Sequence, residues 1–104
     1  MKSTRKNEFE FLPLHDAVLK SVRLEWAEKL CVLEFSAFIE QLDKIASCRL
    51  TFHEVREFHM SCMEPWGPSS SINGGVVDDG RYQIEMQSGD VIKVQAQSFS
   101  FAAI

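Results

Sequence analysis

Five side chains are the candidates for moving protons or groups: His15 with Asp16, His53, His59 and Cys62. A histidine beside a carboxylate can act as a general base. Adjacent residues on an extended chain point to opposite faces, however, so His15 and Asp16 read as a turn or strand-start pair bonding nearby backbone. His53 and His59 lie six apart, with Glu54 and Glu57 between them. A bulge between the histidines would turn them to opposite faces, and no His-x-His or Glu-x-x-His spacing is offered, so they read as solvated polar-face residues. Cys62 with His59 suggests a thiol and its base, but a spacing of three on a strand separates their faces. Gly74, Gly75 and Gly80 make no phosphate loop, because no Gly-Lys-Ser/Thr element accompanies them. No catalytic residue, metal ligand or cofactor site is assigned, and the chain is not expected to be an enzyme.

What the sequence does offer is surface. Trp66 sits in Pro65-Trp66-Gly67-Pro68, and turn residues tend to be exposed. An exposed tryptophan is a residue type enriched at binding hot spots, the alternative being a ring folded back to lid one end of a sheet. Glu64, Asp78, Asp79, Glu85 and Asp90 come from the same loop and the hairpin after it. Together with Trp66 they are the candidate partner-binding residues, as one acidic patch or as plain solvated surface.

The elements that must position these residues are mostly strands. In Arg81–Met86, Tyr82, Ile84 and Met86 alternate with Gln83 and Glu85; Ser88-Gly89-Asp90 supplies a turn, and Ile92, Val94 and Ala96 alternate on the way back. This is a β-hairpin with one dry and one wet face. Upstream, residues 17–26 read as a strand with Val18, Val22, Leu24 and Trp26 inward and Lys20 interrupting the row. Residues 30–35 pair with it. Phe38, Leu42, Ile45 and Ala46 recur at spacings of three and four, which predicts a short helix between Ser36 and Ser47. Cys48, Leu50 and Phe52 share a core face, after which the phase slips, placing a β-bulge or a strand break near Glu54, with the bulge in a long bent strand preferred. Residues 63–80 read as one long loop. Residues 98–101 read as an extension of the hairpin's second strand, and residues 1–8 as a flexible tail.

With 104 residues, 45% of them hydrophobic, the chain suffices for one core and one domain. Fifteen acidic against 11 basic residues leave a net charge of −4, which disfavours a phosphate-tracking nucleic-acid binder. No apolar run approaches the roughly 18 residues of a membrane span. Cys31, Cys48 and Cys62 show no Cys-x-x-Cys spacing and read as reduced core thiols, pointing to the cytoplasm.

At Leu14-His15-Asp16-Ala17, at Pro65-Trp66-Gly67-Pro68-Ser69 and at Ile84 to Ile92 the chain resembles small bacterial immunity proteins of contact-dependent inhibition and related polymorphic toxin systems. The resemblance implies a cytoplasmic, non-enzymatic protein that binds one cognate toxin domain and blocks its active site. It carries over no functional residues position by position.

The expected fold is mainly β (α+β): an antiparallel meander of about five or six strands, curled or half-barrel, with one short helix. The expected function is toxin neutralisation through an acidic, loop-bearing surface. The alternatives are a small-ligand-binding or structural β-domain, with a concavity lined by Phe35, Phe52, Met86 and Val94, and a small hydrolase. An exposed sheet edge, the C-terminal strand above all, is a candidate for homodimerisation.

Overall fold

Alternating apolar residues make strands here almost throughout. The computed structural model describes residues 8–104. It contains eight strands: β1 (Val18–Glu25), β2 (Leu30–Ile39), β3 (Lys44–His53), β4 (Glu57–Met60), β5 (Ile72–Asp78), β6 (Arg81–Met86), β7 (Val91–Gln95) and β8 (Ser98–Ala103). They form two four-stranded antiparallel sheets, in the orders β1-β2-β3-β8 and β4-β7-β6-β5. The fold is mainly β with one short helix among the described residues; of the tail expected over residues 1–8, residues 1–7 lie outside the described residues and Glu8 already begins that helix.

That helix is not where the spacing placed it. Residues 8–10 are helical, whereas β2 and β3 form a plain hairpin turning at residues 40–43. Phe38 and Ile45 are cross-strand partners on the outer face, Leu42 lies in the turn, and Asp43 takes a φ of 53°. Residues on both arms of a hairpin and in its turn thus mimic a helical period.

The two sheets share material at a corner. β3 ends at His53, Glu54 takes a φ of 56°, and β4 joins the other sheet. The phase slip near Glu54 is therefore a strand break, not the preferred bulge. On the paired ribbon, β7 ends at Gln95 and the chain crosses back, so β8 pairs with β3 instead of prolonging β7. Gln97 N–H donates to the His53 carbonyl at 3.0 Å, and Arg56 N–H to the Gln95 carbonyl at 2.7 Å, so both crossings stay bonded to each other. Strands that switch sheets by bending are how such corners are built. Eight strands in two sheets therefore replace the expected single meander of five or six, because the chain changes sheets between β3 and β4 and again between β7 and β8.

At the opposite side the sheets touch again. Ile72 N–H donates to the Ala17 carbonyl and Asp16 N–H to the Ile72 carbonyl, each at 2.8 Å, and Val18 bridges Ser71. β1 carries a register shift between Leu19 and Ser21, so Lys20 is extruded. The inward row is consequently Leu19 and Val22, packed against the core, while Leu24 and Trp26 are exposed.

β5 occupies sequence that read as loop. Its Asn73-Gly74-Gly75 segment includes a register shift, and a Cβ at Gly75 would lie 2.7 Å from Leu14 Cδ1 and 3.1 Å from Phe9 Cε2. Phe9 explains the requirement. It is fully buried between the sheets, 4.9 Å from the Tyr82 ring, 5.3 Å from Phe99 and 6.1 Å from Phe52. Phe35, Phe52, Met86 and Val94 are buried around the same interior. The concavity of the alternative, ligand-binding reading is thus lined by buried side chains, and the Phe9 ring packs among them.

Candidate functional site

The hairpin turn between β6 and β7 organises the most elaborate polar arrangement among the described residues. Gly89 adopts a φ of 93°, which lets its N–H reach the Met86 carbonyl while Met86 N–H reaches the Asp90 carbonyl. The turn directs the Asp90 side chain inward, where the residue is only 5% exposed. Its Oδ1 accepts Ser61 Oγ–H at 2.7 Å and Met63 N–H at 2.8 Å; its Oδ2 accepts Ser88 Oγ–H at 2.7 Å and Glu64 N–H at 2.9 Å. The hydrogen bond from Ser61, with those of Ser88, Met63 and Glu64, outweighs burial and lowers the carboxyl from 3.8 to about 2. Asp90 is a clamp that joins the segment after β4 to the β6–β7 turn.

The clamped segment presents Trp66. Glu64 takes a φ of 49°, Gly67 N–H closes a turn on the Glu64 carbonyl at 3.0 Å, and Pro65 fixes the corner between them. Trp66 N–H donates to the Ser88 carbonyl at 2.9 Å. Its indole rests against Gly89 yet stays 77% exposed, with Met63 beside it in sequence 83% exposed. The ring therefore does not fold back as a lid. It stands on a fixed backbone.

The other flank of the turn is held by the chain before β1. Asp16 has a φ of 67°, so the chain is not extended there, and the expected separation of His15 from Asp16 does not arise. His15 Nε2 lies 3.5 Å from Asp16 Oδ2, His15 Nδ1–H donates to the Asn73 carbonyl at 2.7 Å, and Gln87 Nε2–H donates to Asp16 Oδ1 at 2.7 Å. Both members of the pair are exposed, and the carboxylate is already engaged by Gln87. Thus three segments distant in sequence, 14–17, 64–69 and 84–92, meet around one turn.

The remaining candidates lie apart. Glu64 shares the Trp66 loop, and Glu85 is exposed on the outer face of β6 near the same end. Asp78 ends β5 and Asp79 lies in the β5–β6 turn, at the far end of that hairpin, where Asp78 stands opposite Arg81 in the ladder. Asp90 is buried and offers no charge to a partner, so the proposed acidic set does not gather into one patch. His53 Nε2 bonds Ser100 Oγ at 2.9 Å on the first sheet, whereas His59 stands opposite Lys93 on the second. Cys31 and Cys48 are buried core thiols, but Cys62 is exposed. Among the described residues no three His, Cys, Asp or Glu side chains gather as a metal site, and no helix is long and apolar enough to cross a membrane.

Comparison of the chain with protein-family models, with curated proteins and with solved structures finds no match. Sequence reasoning missed two features. Gln87 and Ser61 carry the network without any motif to announce them, since the hydrogen bonds depend on which strands adjoin. Trp26, assigned to the core, is 86% exposed at the β1–β2 turn, with Lys29 Nζ 4.4 Å above its ring.

Proposed function

We propose that the protein is a non-enzymatic binding module of the cytoplasm that neutralises a cognate bacterial toxin domain, as immunity proteins do. One observation carries this reading: Trp66 is exposed on a backbone held from below by Asp90 and Ser88. A large aromatic side chain on a pre-ordered loop gains contact area while losing little conformational freedom on binding, which is the condition for a hot spot. Glu64 and Glu85 near that end and the net charge of −4 suit a partner with a basic active site. Contact would centre on the Trp66 loop, with Asp78 and Asp79 outside it.

The test is co-purification with the toxin domain encoded by the neighbouring gene, followed by Trp66→Ala. Complex formation with inhibition, lost by at least about 30-fold in the variant, is expected. A toxin domain that stays fully active in molar excess of this protein would end the proposal.

A further inference from the structure

Four strands lie at the ends of the two sheets, and three of them carry features that discourage pairing with another chain. β1 has its register shift at Lys20 and is bridged to Ser71 at its start. β4 is only four residues long and bears Glu57 and His59. β5 is interrupted between Ile72 and Gly74, and its Val77 N–H is met by Glu10 Oε2 at 3.4 Å. β8 has none of these. Its six residues, Ser98-Phe99-Ser100-Phe101-Ala102-Ala103, contain no charge and no proline, and its register with β3 runs unbroken from Ser98 to Ala103.

The direction of its unused backbone groups follows from its last bond. Ile104 N–H donates to the Ser47 carbonyl across the ladder at 2.7 Å. Amides alternate in direction along a strand, so those of Ala103, Phe101 and Phe99 point to the open edge. Among the described residues nothing accepts from them.

We infer that the β8 edge is the interface between two copies of this chain, paired antiparallel about a two-fold axis at Phe101. The axis sets Phe101 opposite its own copy and Phe99 opposite Ala103. Each pair then exchanges its N–H and C=O groups, and the first sheet continues into that of the second copy. Identical antiparallel strands are complementary by symmetry, so no further partner chemistry is required. The rest of the chain carries a net charge of −4 and repels its copy, while this edge adds no charge to the contact. Phe101, half-buried and stacked 6.2 Å from Phe35, would gain a cross-strand aromatic neighbour. Phe11, 83% exposed and lining the same groove as Phe101, would lie beside the junction. This interface is separate from the Trp66 loop and stands independently of the toxin-binding reading.

The experiment is sedimentation equilibrium of the full chain from micromolar to millimolar concentration, with two edge variants. Ala103→Pro removes an N–H that the ladder with β3 does not use, and Ser100→Lys places an ammonium on the edge strand. Wild-type protein is expected at twice the chain mass at high concentration. Both variants should sediment as monomers with wild-type circular dichroism, while His59→Lys on the β4 edge should remain dimeric. Amide exchange at Phe99 and Phe101 should slow with concentration in the wild type but not in Ser100→Lys. A wild-type chain monomeric throughout, or a dimer that Ser100→Lys leaves intact, would overturn the inference.

Discussion

Trp66 lies so close to Gly89 that a Cβ built on the glycine would fall 2.8 Å from Trp66 Cδ2 and 2.9 Å from Pro65 Cγ. The glycine thus serves both its own left-handed backbone and the seat of the indole. Gly89→Ala should cost about 1–2 kcal/mol from the backbone alone. It should also lift Trp66 off the turn. A lower melting temperature with altered tryptophan emission is the expected outcome, and a variant matching wild type in both would deny that the ring is seated there.

The Asp90 clamp predicts an acid-sensitive stability. Its folded-state value of about 2 lies below the ordinary 3.8, so above pH 4 the carboxylate favours the folded form. As pH falls through this interval the unfolded chain takes up the proton first, and that stabilisation is lost by about pH 2. Asp90→Asn cannot accept on both sides, so it should melt lower at neutral pH and vary less between pH 4 and pH 2. Thermal melts across that interval, wild type against variant, measure the difference.

Much of this arrangement was legible in the sequence, and the failures share a physical cause. Strict alternation in Arg81 to Gln95 named the β6–β7 hairpin, its buried row and its turn. The break near Glu54 was located but not its meaning, because a phase slip looks the same whether the strand bulges or leaves for another sheet. β5 was hidden by Asn73-Gly74-Gly75, where glycine answers the approach of Phe9 and Leu14, a long-range demand that local turn chemistry imitates. Asp90 read as a surface charge because its four donors come from Ser61, Met63, Glu64 and Ser88, a set that only the completed sheet assembles.

Phe9 should prove as costly to remove as any core residue, although it precedes every strand. Its ring is fully buried and packs on both sheets, through Phe52 and Phe99 on one and Tyr82 on the other. Truncation to alanine should destabilise by about 3–5 kcal/mol, the cost of an unfilled aromatic site. Denaturant unfolding measures this, and a loss below about 1 kcal/mol would mean that the N-terminal turn is only loosely docked.

The three thiols should divide two to one in reactivity. Cys31 and Cys48 are buried on the inner face of the first sheet, and burial raises both, Cys31 to about 11, so neither supplies thiolate at neutral pH. Their register positions, Cys31 opposite Phe52 and Cys48 opposite Phe35, hold them four residues apart along the ladder, too far for a disulfide. Cys62 is exposed beyond the end of β4. A disulfide reagent at neutral pH should therefore titrate one thiol rapidly in the folded protein and all three in denaturant, and Cys62→Ser should abolish the fast phase. Rapid modification of Cys31 in the folded state would place it outside the core.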